Sequence, residues 1–442
     1  LMLFSVTYLL PIVTSLVYAD GLLVDFIYAA IGCLAAGAGL VALTRRHKRE
    51  LRSRDGFLLV TLGWIFMSAI ATVPLLIALP GLTFTDAFFE TMSGLSTTGA
   101  TVLTGLDTMA PSLNLWRHAL NWYGGMGIIV LVVAILPMLG VGGMQLYKAE
   151  APGPVKNEKL TPRITQTAKA LWFIYFLITV ACIVSLKLAG MDGFAAVCHA
   201  FTTMSLGGFS THDASVGYFD SVSIEIVVIV FMLIAAMNFS RHFIAWQQKS
   251  LRTYATDAEA KAMLAIVGLS TVGLALFIWY HGTYDSFWTS LRHVAFNLVS
   301  IATDCGFVSQ DYAVWPVLAP MWILMLSCYC ANTGSTGGGI KMFRTLVLFR
   351  QAGRELMLLV HPQAIRPVKI GGQVVQNHIV FAVLAFVVLY FGTVVVLTFA
   401  LLASGLDFVS AFSAIIACIN NAGPGLGVVG PATNYQGLTD FQ

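Results

Sequence analysis

Apolar stretches of about 20 residues recur nine times along the chain, near residues 1–19, 22–43, 56–79, 113–138, 169–189, 223–240, 262–281, 316–349 and 375–403. A stretch of that length crosses ~30 Å of hydrocarbon as a helix, because in lipid each backbone N–H and C=O must find its partner within its own segment. The expected class is therefore an all-α polytopic membrane protein. Only 10% of the 442 residues are charged, against about 25% in an ordinary soluble domain. With a net charge of +3 there is no basic excess for nucleic acid, and no nucleic-acid partner is expected. The seven cysteines, at 33, 182, 198, 305, 328, 330 and 418, lack the paired spacing of a zinc or redox site and read as small buried hydrophobes. The first apolar run has no basic leader and no small-residue cleavage site, so it reads as a retained helix; a chain opening on Leu1 is expected to lack its natural start.

The basic residues orient the bundle. Twenty-one of the 24 fall in four alternate loops, Arg45–Arg54, Lys148–Lys169, Arg241–Lys261 and Lys341–Lys369. The positive-inside rule assigns those loops to the cytoplasm and leaves Arg117, Lys187 and Arg292 for the other side. Only seven of the 21 acids lie in the cytoplasmic loops, which makes the outer half net negative. A low-dielectric mouth of one sign concentrates the opposite ion, so a cation is the favoured passenger.

On the outer side sits a second kind of segment, too short to cross and too apolar for a loop. It occurs four times: 86–101 (DAFFETMSGLSTTGAT), 194–210 (FAAVCHAFTTMSLGGFS), 293–309 (HVAFNLVSIATDCGFVS) and 410–426 (SAFSAIIACINNAGPGL). Each reads as a half-helix reaching about halfway through the bilayer, then a small polar turn. Irregular backbone at that depth is tolerated only beside a protein-lined or water-filled cavity, so four such turns predict one central pore. Aligned on Gly99, Gly208, Gly306 and Gly423, the turns share one glycine, with separations of 109, 98 and 117 residues. Each repeat is then an outer helix, a half-helix, a turn and an inner helix. Glycine lets successive carbonyls aim one way, and rings of carbonyls replace the hydration shell of a monovalent cation. Repeats are expected over 56–138, 169–240, 262–349 and 375–442, preceded by two extra helices over 1–44.

Within the third inner stretch, CANTGSTGGGIK (330–341) interrupts an apolar run. Three consecutive glycines do not hold a helix. It is not a nucleotide-binding P-loop, because Ile340 stands between Gly339 and Lys341 and the segment lies at membrane depth. The expectation is a mobile intramembrane loop in which Ser335, Thr336 and freed backbone groups meet water.

The runs 121–147 (NWYGGMGIIVLVVAILPMLGVGGMQLY), 149–154 (AEAPGP), 207–221 (GGFSTHDASVGYFDS), 332–341 (NTGSTGGGIK) and 420–430 (NNAGPGLGVVG) carry a resemblance over nearly the whole chain. It resembles the TrkH family, membrane subunits of bacterial Trk potassium uptake systems in the Trk/Ktr/HKT superfamily. The resemblance implies four potassium-channel-like M1-P-M2 repeats with re-entrant loops around one pore, in the cell inner membrane. It also implies a homodimer surrounded by membrane lipid, and a cytoplasmic nucleotide-binding regulator resembling TrkA. Carried over by position, the potassium-binding carbonyls fall on Thr97, Thr98 and Gly99, on Leu206, Gly207 and Gly208, on Asp304, Cys305 and Gly306, and on Asn421, Ala422 and Gly423. The gating loop falls on Gly334, Ser335, Thr336, Gly337, Gly338, Gly339 and Lys341. Glycine in all four turns is the family pattern associated with potassium, whereas relatives that favour sodium often carry serine at the first.

Two departures stand out. Asp304 occupies a position where relatives usually have Thr or a small residue, and its carboxylate is expected to face away from the ion. The chain ends at Gln442, so the final inner helix of repeat 4 is expected to lie beyond these residues. The alternatives are potassium–proton or potassium–sodium symport, or a less selective monovalent cation channel. The membrane potential supplies about 2.3 kcal/mol per charge per 100 mV, which sustains roughly a fifty-fold gradient without chemistry. An enzyme would need a nucleophile and base at membrane depth. His199 and His293 read instead as hydrogen-bonded structural residues, Glu225 as a solvated acid near a helix end, and Arg117 and His118 as surface or interface groups.

Overall fold

The computed structural model describes residues 1–45, 53–130 and 164–442. The expected positions 131–138 and 149–154, and much of the first two basic loops, lie outside the described residues. Among the described residues five helices are long and apolar enough to span a membrane: Leu23–Thr44, Leu58–Ala78, Ala168–Leu188, Ala258–Tyr280 and Asn377–Ala403. Between them stand four short helices, Phe84–Leu95, Gly193–Ser205, Phe287–Ala302 and Phe408–Asn420.

Three expected spans differ from the observed elements. The first stretch forms only a 3-10 turn, Phe4–Tyr8, followed by Leu9–Tyr18, short of a full crossing. Tyr8 stacks on Trp116 at 4.4 Å and fixes this helix against Pro111–Val130. The span over 223–240 is two helices, Val222–Ala235 and Phe239–Gln248, meeting at 94°. Asn238 makes the bend, since its side chain accepts from the Ser240 N–H and starts a new helix. The stretch over 316–349 breaks where the glycine run predicts, between Leu318–Ser327 and Met342–Val360. The second piece then carries Arg344, Arg350 and Arg354 helically into what the charge pattern assigned to a loop. Beyond it, Gly371 and Gly372, both at positive φ, close a hairpin of two-residue strands, Lys369–Ile370 and Gln373–Val374. The fold is mostly helical rather than purely so.

Two large buried clusters, beside a small third around Phe343 and Val380, organise the bundle. One gathers Trp122, Tyr175, Phe201, Phe239 and Phe296, from the second and third short helices and their neighbours. The other gathers Tyr8, Trp116, Leu95 and Ala411, and so joins the N-terminal helices to the first and fourth. The four short helices thus meet between two cores.

Candidate functional site

Each short helix begins on a capping side chain: Thr83, Asp192, Ser286 and Asp407 accept from the N–H groups of Asp86, Phe194, Trp288 and Ser410. Such a cap satisfies one of the orphan donors at a helix start. All four end alike. The N–H groups of Thr98, Gly207, Cys305 and Ala422 reach back five residues to Ser93, Thr202, Ser300 and Ala417 carbonyls at 2.8, 2.9, 2.8 and 2.8 Å. Those of Thr97, Leu206, Asp304 and Asn421 reach back three residues at 3.1, 3.2, 3.1 and 3.2 Å. This pair of bonds is the Schellman termination, which needs a left-handed residue just past the helix.

That residue is never glycine here. Thr97, Leu206, Asp304 and Asn421 adopt φ of 62°, 55°, 65° and 59°. Two positions on, Gly99, Gly208, Gly306 and Gly423 are again left-handed, at 78°, 67°, 87° and 78°. Left-handed residues alternate with a residue of ordinary φ in every turn, and such alternation turns consecutive carbonyls toward the same side.

The turns close on one another in chain order. A carbon placed as Cβ on Gly99 would lie 2.2 Å from the Gly207 carbonyl oxygen, and one on Gly208 would lie 2.2 Å from that of Cys305. On Gly306 it would lie 2.6 Å from the Ala422 oxygen, and on Gly423 3.0 Å from the Thr98 oxygen. Each glycine abuts the carbonyl preceding the next glycine, and the fourth returns to the first. A cavity of about 80 Å³ opens beside them, lined by all four glycines and by the strands that leave the turns. Thr98 Oγ1 also donates to Asn421 Oδ1 at 2.9 Å, joining the first turn to the fourth. At the mouth the His212 imidazole donates to Asp107 and holds that carboxyl below the usual carboxylate range.

The interrupted stretch lies against the helix ends rather than in water. Ser335 and Thr336 are buried, contrary to expectation. Ser335 Oγ donates to the Asn332 carbonyl, and Thr336 Oγ1 to that of Met204 at 3.3 Å, in the last turn of the second short helix. A Cβ on Gly337 would lie 2.9 Å from the Thr303 oxygen, and one on Gly338 1.9 Å from the Asn420 oxygen. The stretch therefore touches the C-terminal ends of three of the four short helices, where the helix dipoles are negative. Lys341 Nζ lies there too, donating to the Gly337 carbonyl. The bend of the second inner element seats the stretch, with Phe239 N–H donating to Gly334 O at 3.1 Å and Asn332 N–H to Ala236 O at 3.1 Å.

Asp304 is fully buried, and its Oδ2 accepts from the Gly338 N–H at 3.0 Å, so the carboxylate engages the interrupted stretch. His199 is hydrogen-bonded as expected, to Ala195 O and Ser210 Oγ. His293 packs on Tyr284, ring centroids 5.1 Å apart, with no hydrogen-bond partner at Nδ1 among the described residues. Three expectations are corrected. Arg117 and His118 are buried rather than at a surface, and Glu225 is buried against Arg292 at 2.9 and 2.7 Å rather than solvated. Arg117 belongs to a group that sequence reasoning missed: it pairs with the equally buried Glu90 at 2.7 Å, and its guanidinium lies 4.4 Å from the centre of the Phe209 ring. The available signal was charge inside apolar segments, which is rare unless paired or functional. Glu259 was missed likewise; its Oε2 accepts from the Thr333 N–H at 2.8 Å. All seven cysteines are free, six of them buried, and the described residues contain no cluster of His, Cys, Asp or Glu that could hold a metal.

A family model for TrkH, described as a cation transport protein, matches residues 24–437. The chain is 46% identical over 437 residues to the Trk system potassium uptake protein TrkH of Salmonella typhimurium, covering 99% of this chain and 90% of that protein. It is 48% identical over 432 residues to the protein of the same name from Vibrio parahaemolyticus, covering 97% and 89%. The crystal structure of the potassium transporter TrkH from Vibrio parahaemolyticus superposes with a TM-score of 0.90 at 44% identity, covering 99% of this chain and 91% of that one.

Proposed function

The chain belongs to the TrkH family of cation transport proteins and is a multi-pass membrane protein rather than an enzyme, and from that premise we propose that it takes up potassium across the bacterial inner membrane through a gated, channel-like pore. Its relatives named as potassium uptake proteins support the ion. The observation that carries the mechanism is the closed succession of the four turns, in which each glycine meets a carbonyl of the next. Carbonyls of Thr97–Gly99, Leu206–Gly208, Asp304–Gly306 and Asn421–Gly423 act as the selectivity filter. They exchange water for peptide oxygen around a bare monovalent cation. The ring belongs to four M1-P-M2 repeats with re-entrant turns, over 56–138, 169–240, 262–349 and 375–442, following two N-terminal helices.

Residues 334–341 serve as the gate. Their contact with the helix ends behind the filter, through Thr336, Gly337 and Gly338, supports a closed position on the ion's inward path. Displacing them opens it. Passive flux driven by the membrane potential suffices for accumulation. Obligatory symport would need an ionisable group that cycles in the path, and Asp304 is engaged by Gly338. The working form is a homodimer with a cytoplasmic nucleotide-binding partner of the TrkA kind.

Rubidium uptake into proteoliposomes, with sodium as competitor, tests the reading. Wild-type uptake should resist sodium, and Gly99→Ser should lose that resistance, because its side chain meets the Gly207 carbonyl. If Gly99→Ser leaves ion preference untouched, the filter assignment is wrong.

A further inference from the structure

Nine residues before the shared glycine, three of the short helices carry a polar residue: Glu90, His199 and Asn297. The fourth has Ser413 ten residues before. The four are chemically unlike, and all are buried. Each bonds the strand leaving its own turn, two or three residues past the glycine. Glu90 Oε2 accepts from Val102 N–H at 3.0 Å and from Thr101 Oγ1 at 2.9 Å. His199 Nε2 meets Ser210 Oγ at 3.0 Å, while its Nδ1 is taken by the Ala195 carbonyl. Asn297 binds Ser309 twice, accepting its N–H at 3.1 Å and donating to its Oγ at 3.0 Å. Ser413 Oγ accepts from Leu426 N–H at 2.8 Å and donates to Leu426 O at 3.2 Å.

The first two braces are also joined. Arg117 binds Glu90, reaches Thr101 Oγ1 at 3.3 Å and approaches the Ser210 carbonyl at 3.4 Å. Ser210 is the residue His199 holds. The exit strands of turns one and two therefore share one buried polar network, while that of turn three is also tied to the segment beyond turn two, where Val308 N–H donates to Ser215 Oγ at 3.2 Å and Val308 O accepts from Gly217 N–H at 3.0 Å.

Buried polar groups need partners, so any one of these bonds is unremarkable alone. Four unlike residues within one position of the same offset, all spent on the same segment of their own repeat, are a pattern that general satisfaction of buried groups does not produce. Helix-end bonds fix the entry to each turn. Nothing in the Schellman pair fixes the exit, and the glycine between leaves it free to pivot.

Resting on the potassium reading, we propose that Glu90, His199, Asn297 and Ser413 are positioning residues of the filter: by clamping the exit strands they set the spacing of the carbonyl ring, and hence its preference for potassium over sodium. None of them touches the ion. A brace lost lets its strand relax inward, and the ring then accepts the smaller cation. The shared network couples the braces of turns one and two directly.

The test is the ratio of sodium to rubidium permeation in proteoliposomes for wild type, Asn297→Ala, Ser413→Ala, Glu90→Gln and Glu90→Ala, beside Thr179→Ala as a buried hydroxyl control outside the filter, where it receives the Trp122 N–H. A ratio is independent of how much protein folds, so general destabilisation does not move it. We expect Asn297→Ala and Ser413→Ala to raise relative sodium permeation about fivefold or more, and Thr179→Ala to leave it at the wild-type value. Glu90→Gln keeps an acceptor for Val102 but loses the ion pair, and should shift the ratio less than Glu90→Ala. Ser413→Ala removes a single hydroxyl and carries the test if the Glu90 variants do not fold. An unchanged ratio in both Asn297→Ala and Ser413→Ala overturns the proposal. A wild-type protein indifferent to rubidium and sodium overturns the potassium reading instead.

Discussion

The four-turn ring and the stretch 328–341 are both irregular backbone between helices, but they are held in opposite ways. Every ring turn is stabilised from within its own repeat, by a capping side chain, two bonds at the helix end and a brace on the exit strand. The stretch has inner bonds, Ser335 to Asn332 and Lys341 to Gly337, but is also held from outside. Its partners are Ala236, Phe239, Glu259, Met204 and Asp304, drawn from several other elements. Local, repeated bonds make an element rigid whatever its neighbours do. Scattered tertiary bonds make one whose position follows its neighbours, as the proposed gating role requires.

Glycine substitutions break the comparison most sharply, because both regions use glycine against a carbonyl. Gly208→Ala forces a side chain to 2.2 Å from the Cys305 oxygen at a left-handed φ of 67°. Backbone strain of that kind costs about 1–3 kcal/mol before the collision is counted, so rubidium uptake should fall roughly a hundredfold. Gly338→Ala is even more crowded, at 1.9 Å from the Asn420 oxygen, yet the crowded element is the one held from outside. It should yield, and uptake should rise about tenfold with ion preference unchanged. Equal losses in the two variants, measured by tracer uptake, would show that the stretch is as rigid as the ring.

Asp304 sits on the border between the regions, left-handed in a ring turn with its carboxylate on Gly338. A buried hydrogen bond of this kind contributes about 0.5–1.5 kcal/mol, and an amide retains part of it. Asp304→Asn should therefore loosen the stretch and raise uptake several-fold. Its effect on the potassium-to-sodium ratio should stay below about tenfold; a larger change means that the carboxylate acts on the ion itself.

Much of this organisation was legible in the sequence because it obeys short-range rules. The glycine at Gly99, Gly208, Gly306 and Gly423 announces a left-handed turn, and the apolar run before it announces a helix too short to cross. The break at 328–341 was legible for the same reason, since three glycines do not sustain a helix. What escaped was long-range pairing. Arg117 looked like a surface charge because its partner Glu90 lies 27 residues away on another helix. Thr336 looked wet because its partner, the Met204 carbonyl, becomes a neighbour only after the stretch folds under the ring. The bend at Asn238 was hidden by apolar residues on both sides, which satisfy a hydropathy window whether or not the helix runs straight.

Thr336 gives the finest probe of how loosely the stretch is held. Its hydroxyl donates to the Met204 carbonyl at 3.3 Å, a long neutral hydrogen bond, and its side chain is buried at the end of the second short helix. Such a bond contributes about 0.5–1.5 kcal/mol. Thr336→Val preserves shape and removes only the donor, and the carbonyl it abandons is at a helix end, where one fewer partner is tolerated more readily than in a helix interior. The expected outcome is a two- to fivefold rise in rubidium uptake, with sodium competition and thermal unfolding of the detergent-solubilised protein close to wild type. A fall in uptake would mean that the Met204 end needs Thr336 to hold the filter in shape, and the ring and stretch would then be one mechanical unit rather than a rigid frame with a movable bar beneath it.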